Sequence, residues 1–292
     1  FSGQINTYGK DIALLCQVDI TYADGTTASL FSDNTWKSLT GGIRYSEIYH
    51  GEIYDARMEK KGWTRPGYDD SEWSGVKVVP HSKDVLIATQ NEPVKRHEIF
   101  TPVKIMTTPK GEQVIDFGQN LVGRIRMKVS GTSGEKVVLS HAEVLDKAGN
   151  FYTENLRSAK AQDTYILKGE GEEIYEPLFT WHGFRYIKVE GYPGDLKPEN
   201  FTAVVLYSDM QPTGTFITSD SLVNKLQHNI QWGMKGNFLD VPTDCPQRDE
   251  RLGWSGDAQA FSRTASFNMN VNSFFAKWLK DLEADQVDGK VP

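Results

Sequence analysis

Hydrophobic and polar residues alternate along most of the first two thirds of the chain, as they do in half-buried β-strands. Val18, Ile20 and Tyr22 alternate with other residues up to an Asp24-Gly25 pair, which predicts a hairpin with the positive φ angles of a tight turn. Short strand-like runs recur between Gly, Pro and Asn clusters, in VVLSHAEV, DTYILKG and FRYIKVEGY. This spacing favours antiparallel β-sandwiches over alternating strands and helices.

The run GRIRMKVSG shows the alternation most regularly. It places Ile125, Met127 and Val129 on one face and three basic residues on the other, which predicts a strand whose apolar face lies in a core. The alternation lapses in QNEPVKRHEIFTP, residues 90–102. We interpret this run as a linker between two sandwiches.

After residue 214 the apolar residues recur at helical spacing. Ser219 or Asp220 can cap a first helix, whose apolar positions are Leu222, Val223, Leu226 and Ile230. In VNSFFAKWLKDLEAD, a second helix has apolar positions Phe275, Trp278, Leu279 and Leu282. The fold class predicted from the pattern is therefore multidomain, with two antiparallel β-sandwich domains followed by helices.

Composition excludes several classes of partner. The 292 residues carry 32 basic and 39 acidic side chains, a net charge of −7, which argues against nucleic acid or an anionic membrane surface. No apolar run approaches the roughly 20 residues of a membrane span. Cys16 and Cys245 lack the spacing of a zinc site. A disulfide between them is an open alternative, but two free buried thiols are the default interpretation. The cellular compartment is left open.

The segment DVPTDCPQRDERLGWSGDAQ, residues 240–259, carries the candidate chemistry. It holds five carboxylates, two arginines and one tryptophan. Acid catalysis on a poor leaving group needs a carboxylic acid that stays protonated, and crowded carboxylates beside an aromatic wall are one way to raise such a pKa. Glu250, with Trp254 four residues on and Asp257 seven residues on, fits that description.

A salt-bridged connection between helices explains the same segment equally well. In that interpretation Arg248 and Arg251 neutralise Asp244 and Asp249. A calcium loop is less favoured, because the D-x-D-x-D-G pattern is missing and two arginines would repel a cation.

Histidines give a weaker signal. His182 lies in a strand-like run, where a packed and hydrogen-bonded histidine is more common than a catalytic one. His50 and His141 are interpreted in the same way.

Several separated blocks resemble the bacterial α-L-rhamnosidases, a family of inverting glycoside hydrolases. YSEIYHGEIYDAR with GWTRPGYDDSEW, DFGQNLVGRIRMKVSG with FTWHGFRYIKVEGY, and DVPTDCPQRDERLGWSGDAQ occur in the family's order. The resemblance implies three regions: a jelly-roll β-sandwich over residues 1–98, incomplete at its start, a concanavalin-like β-sandwich over residues 99–211, and the first helices of an (α/α)6 toroid over residues 212–292.

The resemblance also implies roles for residues of the last block. Glu250 matches the general acid that protonates the departing glycosidic oxygen. The substrate-binding positions, which hold the sugar hydroxyls or face its apolar side, are Asp244, Arg248, Trp254 and Asp257. Asp249 and Arg251 are assigned to support.

An inverting glycosidase also needs a general base, with the two carboxyl groups about 6.5 to 9.5 Å apart. The resemblance places that base beyond this chain, so we expect the 292 residues alone to be inactive. It implies a rhamnose-containing glycoside or oligosaccharide as substrate and no cofactor, with a structural calcium ion and a homo-oligomer left open. The alternatives are another (α/α)6 glycosidase with a different sugar, and a carbohydrate-binding scaffold without activity.

Overall fold

The computed structural model describes residues 11–290, and the predicted order of β-structure followed by helices is confirmed. The strands are β1 (Gln17–Thr21), β2 (Thr27–Phe31), β3 (Lys37–Ser38), β4 (Ile43–Glu47), β5 (Gly51–Asp55), β6 (Ser74–Gly75), β7 (Val94–Phe100), β8 (Lys104–Thr107), β9 (Gln113–Ser130), β10 (Lys136–Ala142), β11 (Gln162–Ile166), β12 (Glu172–Tyr175), β13 (His182–Glu190), β14 (Phe201–Ser208), β15 (Phe238–Leu239) and β16 (Val241–Pro242). The helices are α1 (Ser221–Asn237), α2 (Ser255–Asn268) and α3 (Asn272–Ala284).

The chain divides into two compact units. Among the described residues, the first comprises residues 11–41 and 58–88, and the second comprises residues 42–57 and 89–290. Residues 1–10 and 291–292 lie outside the described residues. None of the described helices is long and apolar enough to cross a membrane.

The first unit contains the predicted hairpin, formed by β1 and β2. The prediction for its turn is wrong in one respect, because only Gly25, with φ +83°, has a positive φ. The Gly25 N–H donates to the Tyr22 carbonyl at 2.9 Å, and the Tyr22 N–H donates to the Thr26 carbonyl at 2.8 Å. A three-residue connection of this kind needs a left-handed residue only at its end. The Asp24 carboxylate instead accepts from the Thr26 N–H.

The second unit is built on a ten-stranded sheet in the order β4-β5-β11-β10-β13-β9-β14-β7, with β8 and β12 also paired to β9. Nearly all pairs are antiparallel, but β5 pairs parallel with β11. Residues 42–57, which the resemblance assigns to the first region, therefore contribute two strands to the sheet of the second.

The predicted linker over residues 90–102 is wrong in its central part. Residues 94–100 form β7, which pairs antiparallel with β14 at the edge of the large sheet. The strand was missed because its sequence, VKRHEIF, is highly charged. Charged residues are common on edge strands, where they discourage pairing with other chains.

The core of the second unit follows β9. Ile125, Met127 and Val129 are buried as predicted, and they pack with Phe184 and Phe201 from neighbouring strands. This apolar layer holds β13 in place, and Trp181, which contacts Arg251 of the candidate site, directly precedes β13.

Both predicted helices are confirmed, but the residues they bury differ from the predicted ones. In α1 the cap is Asp220, whose carboxylate accepts from the Leu222 and Val223 N–H groups. Leu222 and Leu226 are exposed, whereas Met234 is buried. Only the C-terminal end of α1 lies in the apolar cluster it shares with α2 and α3.

The prediction for α3 is correct at Trp278 and wrong at Leu279, and α2 was not predicted. Phe274 and Trp278 are buried in α3, whereas Leu279 is 57% exposed. The sequence of α2, SGDAQAFSRTASFN, offers few large apolar residues. Its buried face is made by small residues such as Ala258 and Ala265, which give no clear periodic signal.

Candidate active site

The carboxylate-rich segment lies between α1 and α2 and is mostly irregular. The short hairpin of β15 and β16 turns at Asp240, which has φ +66°. Beyond it, Asp244 closes a loop, since its N–H donates to the Leu252 carbonyl and its Oδ1 accepts from the Leu252 N–H at 2.9 Å. Trp254 then occupies the N-cap position of α2, without a capping hydrogen bond from its side chain. The loop from 244 to 252 thus presents its charged residues on one closed turn.

Glu250 occupies an unusual backbone conformation in this loop. Its φ is +119°, and that of Arg251 is +49°. Residues other than glycine seldom adopt such values, which cost about 1 to 3 kcal/mol each and persist where the surroundings enforce them. Such outliers concentrate at functional sites, so the conformation marks the consecutive pair Glu250 and Arg251 within the segment.

The carboxylate of Glu250 accepts hydrogen bonds from two residues nearby in the sequence, one in the loop and one just after it. The indole Nε1–H of Trp254 donates to Oε1 at 2.8 Å, and Arg248 Nη1 donates to Oε2. Glu250 and Trp254, expected to share a surface, are therefore in direct contact. Whether Trp254 faces the sugar stays a prediction.

The pKa of Glu250 lies below its ordinary value, mainly because Arg248 and then Trp254 donate hydrogen bonds to its charged form. Crowding with other carboxylates was expected to raise this pKa, and that expectation is wrong for the arrangement seen here. The loop turns the neighbouring aspartates toward other partners, and it turns the guanidinium of Arg248 toward Glu250. The carboxylate is consequently ionised at neutral pH in this state.

Arg248 also pairs with Asp244, with 3.1 Å between Nη2 and Oδ2. This part of the salt-bridge interpretation is correct. Both oxygens of Asp244 are engaged, and its side chain is only 8% exposed. The structure thus gives Asp244 a role in closing the loop, and its role toward substrate stays a prediction.

The other half of the salt-bridge interpretation is wrong, because Arg251 does not neutralise Asp249. Arg251 is buried and donates to two carbonyl oxygens, those of Arg248 at 3.1 Å and Trp181 at 2.9 Å. Burial lowers its pKa to about 10. The assignment of Arg251 to support agrees with these contacts.

The partners of Asp249 come from the β-sheet region. Ser158 Oγ–H donates to its Oδ2 at 2.6 Å, and Arg157 Nη1 lies 3.9 Å from its Oδ1 and 3.4 Å from Glu250 Oε2. Both residues follow a short 3-10 helix before β11, and Arg157 has a positive φ of 57°. Sequence reasoning missed them because more than 90 residues separate them from Glu250 and nothing in the run NLRSAK marks them.

Asp257 is placed in the first turn of α2 and is exposed. Within residues 11–290 it has no hydrogen bond or ion pair to another side chain. Its predicted role in binding the sugar therefore stays a prediction, although negative charge near a helix N-terminus is favourable in itself.

The group of side chains in the described residues that could hold a metal ion consists of His141, Asp163 and His182, whose candidate ligand atoms lie within 4.8 Å of one another. All three are fully buried. His182 Nε2–H donates to Asp163 Oδ1 at 3.1 Å, and His141 Nδ1–H donates to the Ala161 carbonyl at 2.9 Å. The two histidines are packed and hydrogen-bonded, as the sequence suggested.

Electrostatics argues against a cation in this cluster. Burial lowers the pKa of His182 well below its ordinary value, and the positive charges of Arg251 and Arg124 lower it further. The same charges would repel a metal ion. We therefore interpret the cluster as a buried support beneath the loop that carries Arg157 and Ser158.

Both cysteines are free, as predicted. Cys245 is buried and Cys16 is half-buried. Burial raises the pKa of the Cys245 thiol to about 11, so this thiol is protonated and poorly nucleophilic at neutral pH. It contributes packing to the loop rather than chemistry.

Comparison with known proteins identifies three consecutive domain models, all of bacterial α-L-rhamnosidases. The N-terminal domain matches residues 1–98, the concanavalin-like domain matches residues 106–207, and the 6 hairpin glycosidase domain matches residues 211–292. Glu250 and its neighbours lie in the third match.

Individual relatives agree with these matches. A protein of Streptomyces avermitilis named α-L-rhamnosidase is 47% identical over 284 residues, covering 97% of this chain and 28% of the relative. An α-L-rhamnosidase of Formosa agariphila is 40% identical, covering 99% of this chain and 32% of the relative. The chain thus spans about three tenths of the length of the curated relatives it matches.

A solved structure has the same fold. The Streptomyces avermitilis α-L-rhamnosidase complexed with L-rhamnose superposes with a TM-score of 0.90 at 45% identity, over 94% of this chain and 27% of the other. Three domain matches in order and relatives of 40% and 47% identity over nearly the whole chain agree on one family. It belongs to the bacterial α-L-rhamnosidase family.

Proposed function

We propose that the full-length protein containing this chain hydrolyses terminal, non-reducing α-L-rhamnose from rhamnosides, with inversion at the anomeric carbon and with Glu250 as general acid. The observation that carries the proposal is the Glu250 carboxylate, held on a strained turn between Arg248 and Trp254, inside the region that matches a glycosidase domain. A relative of 45% identity is named as complexed with L-rhamnose, which supports the sugar.

Glu250 must carry a proton to act as an acid, yet its contacts favour the ionised form. We propose that bound sugar resolves this conflict, because its hydroxyls draw Arg248 away from Glu250 and its ring excludes water. Both changes raise the pKa of a carboxyl group. Glu250 then protonates the glycosidic oxygen while the base, in another part of the full-length protein, deprotonates the attacking water.

The remaining residues have supporting roles in the proposal. Arg248, Asp244 and Asp257 bind sugar hydroxyls, and Trp254 faces the apolar side of the ring, a division usual in small-molecule sites. The reaction moves only protons and a glycosyl group, so it calls for no redox cofactor or nucleotide. The proposed ligand is a neutral rhamnoside, and nucleic acid is not a proposed partner.

Glu250→Gln in the full-length protein tests the proposal. We expect turnover of a rhamnoside with a poor leaving group to fall by about 10² to 10⁴, because the amide cannot donate the proton. An activated aryl rhamnoside should lose much less, since its leaving group departs without protonation. The measurement is kcat for both substrates.

Glu143→Gln is the matched control. Glu143 accepts a hydrogen bond from Asn120 and has no hydrogen bond or ion pair with the loop over residues 244–252, so the same change of charge there should leave both rates intact. Equal losses on the two substrates for Glu250→Gln would contradict the acid role. Saturable binding of rhamnose by the wild type without any product would favour a carbohydrate-binding scaffold.

A further inference from the structure

The backbone at Glu250 is held by the β-sheet region from two sides. Tyr49 Oη–H donates to the Glu250 carbonyl oxygen at 2.6 Å. Next to it, the Arg251 guanidinium lies 5.5 Å from the ring centre of Tyr49 and 5.6 Å from that of Trp181, and it donates to the Trp181 carbonyl. Arg251 is 4% exposed, so it is enclosed between the two aromatic rings.

Tyr49 is itself firmly placed. It lies in the turn between β4 and β5, where its N–H donates to Glu47 Oε1 at 2.9 Å and its carbonyl accepts from the Ala161 N–H at 3.0 Å. Its ring packs on the buried cluster formed by Leu156, Ala159 and Ala161. The hydroxyl is therefore presented to Glu250 by the sheet rather than by a mobile side chain.

Two successive positive φ angles at residues 250 and 251 need such enforcement. The hydroxyl of Tyr49 fixes the carbonyl of Glu250, and the enclosed guanidinium fixes the following residue. Together they set the direction in which the Glu250 side chain leaves the backbone. The sequence pattern indicates no role for Tyr49 or Trp181, and only a general supporting role for Arg251.

We infer that Tyr49 is a positioning residue for Glu250, acting through its hydrogen bond to the Glu250 carbonyl and through its ring against Arg251. The inference rests on the proposed function, because it holds that the Tyr49 contact orients the carboxyl group of Glu250, the proposed general acid. A displacement of about 1 Å in a reacting group can cost about 100-fold in rate. Loss of the hydrogen bond should consequently affect turnover more than substrate binding.

Tyr49→Phe in the full-length protein is the test, since it removes the hydroxyl and keeps the ring over Arg251. We expect kcat for a rhamnoside with a poor leaving group to fall by about 10-fold or more, with KM nearly unchanged. An activated aryl rhamnoside, which depends less on the acid, should be affected less. The measurements are kcat and KM on both substrates, with the melting temperature of each variant.

Tyr192→Phe is the matched control, because the Tyr192 hydroxyl donates to the Lys128 carbonyl at 2.9 Å, away from the loop. If the Tyr49 contact were only structural, both variants would lower the melting temperature alike and leave kcat unchanged, which would overturn the inference. Arg251→Lys adds a second check, since a lysine keeps the charge but loses the fork that reaches Trp181. It should reproduce the selective loss of kcat.

Failure of the proposed function would look different. In that case the wild type would not hydrolyse aryl rhamnosides, or Glu250→Gln would leave both rates intact. An active wild type, an inactive Glu250→Gln and a fully active Tyr49→Phe would overturn this inference alone.

Discussion

At the scale of single residues, the charges around Glu250 decide its protonation. Arg248 contacts it within the loop, and Arg157 reaches it from the sheet region at 3.4 Å. Both lower its pKa, Arg248 more than Arg157. The side chain of Arg157 is 59% exposed, so solvent and salt weaken its influence. Arg157 can therefore be removed with little risk to the fold.

We predict that Arg157→Gln moves the alkaline limb of the pH profile of kcat/KM to higher pH. A general acid works only while it is protonated, so activity falls as the pH rises through its pKa. Removing a nearby positive charge raises that pKa and so extends activity upward. The measurement is kcat/KM against pH at low ionic strength in the full-length protein.

Arg157→Lys is the control for this prediction, because it keeps the positive charge near Glu250. Its pH profile should stay close to that of the wild type. Added salt should narrow the difference between the pH profiles of Arg157→Gln and the wild type. A profile that is identical for Gln and wild type at low salt would contradict the assigned influence of Arg157.

At the scale of elements, the start of α1 shows how a local signal becomes a specific contact. The sequence allowed either Ser219 or Asp220 as the cap, and the structure selects Asp220, whose Oδ1 lies 2.8 Å from the Leu222 amide nitrogen. A side-chain oxygen at this position satisfies amide groups that the helix itself leaves unpaired.

Asp220→Ala should destabilise the first turn of α1 by about 1 kcal/mol. The amide hydrogens of Leu222 and Val223 should then exchange about five times faster, as measured by hydrogen exchange. Ser219→Ala is the matched control and should leave both rates unchanged, since Asp220 still provides the cap. Faster exchange in Ser219→Ala alone would show that the cap is the other residue.

The sequence predicted those elements whose pattern is local and regular. The alternation around Ile125 and Met127 predicted the C-terminal part of β9, and the helical spacing near Trp278 predicted α3. The pattern failed for β7, because β7 is a charged strand at the edge of the sheet. The sequence alone does not show which strands lie at an edge. The pattern also failed for α2, because the buried face of α2 is made of small residues such as Ala258 and Ala265.

The candidate site was predictable only within its own segment. Glu250, Arg248 and Trp254 are close in sequence, and they are in contact in the structure. Tyr49 and Arg157 join them only because the sheet brings distant turns to the same place. The lowered pKa of Glu250 depends on side-chain directions that spacing cannot specify.

At the scale of the whole molecule, the buried cluster of His141, Asp163 and His182 makes stability depend on pH. Burial lowers the pKa of His141 to about 3, lowers that of His182 well below its ordinary value, and raises that of Asp163 to about 6. The unfolded chain protonates both histidines below about pH 6.5, whereas the folded chain does not. At these two histidines the unfolded chain therefore binds two more protons than the folded chain, so a falling pH favours unfolding.

Asp163 opposes this effect, because the folded chain takes up its proton near pH 6 and the unfolded chain only near pH 4. Between about pH 6 and pH 4 the balance is one extra proton on the unfolded chain. We predict that these three groups lower the stability of the folded state by about 1 kcal/mol for each unit by which the pH falls in that range. The measurement is the melting temperature from pH 7 to pH 4.

His182→Asn should flatten this dependence, because it removes one buried histidine that the unfolded chain would protonate. His81→Gln is the control, since His81 is exposed and its replacement should leave the slope as it is. A melting temperature that rises or stays level in the wild type as the pH falls below 6 would contradict the assignment.

The parallel pairing of β5 with β11 has a practical consequence for dissecting the protein. The boundary of the first family match suggests dividing the chain near residue 98. That division would separate β4 and β5 from the large sheet to which they belong. The remaining part would expose the edge of β11 as an unpaired strand, which invites aggregation, and it would lack Tyr49. A shortened version intended for crystallisation or enzyme engineering should therefore begin no later than residue 42, even though its added N-terminal segment includes part of the first unit.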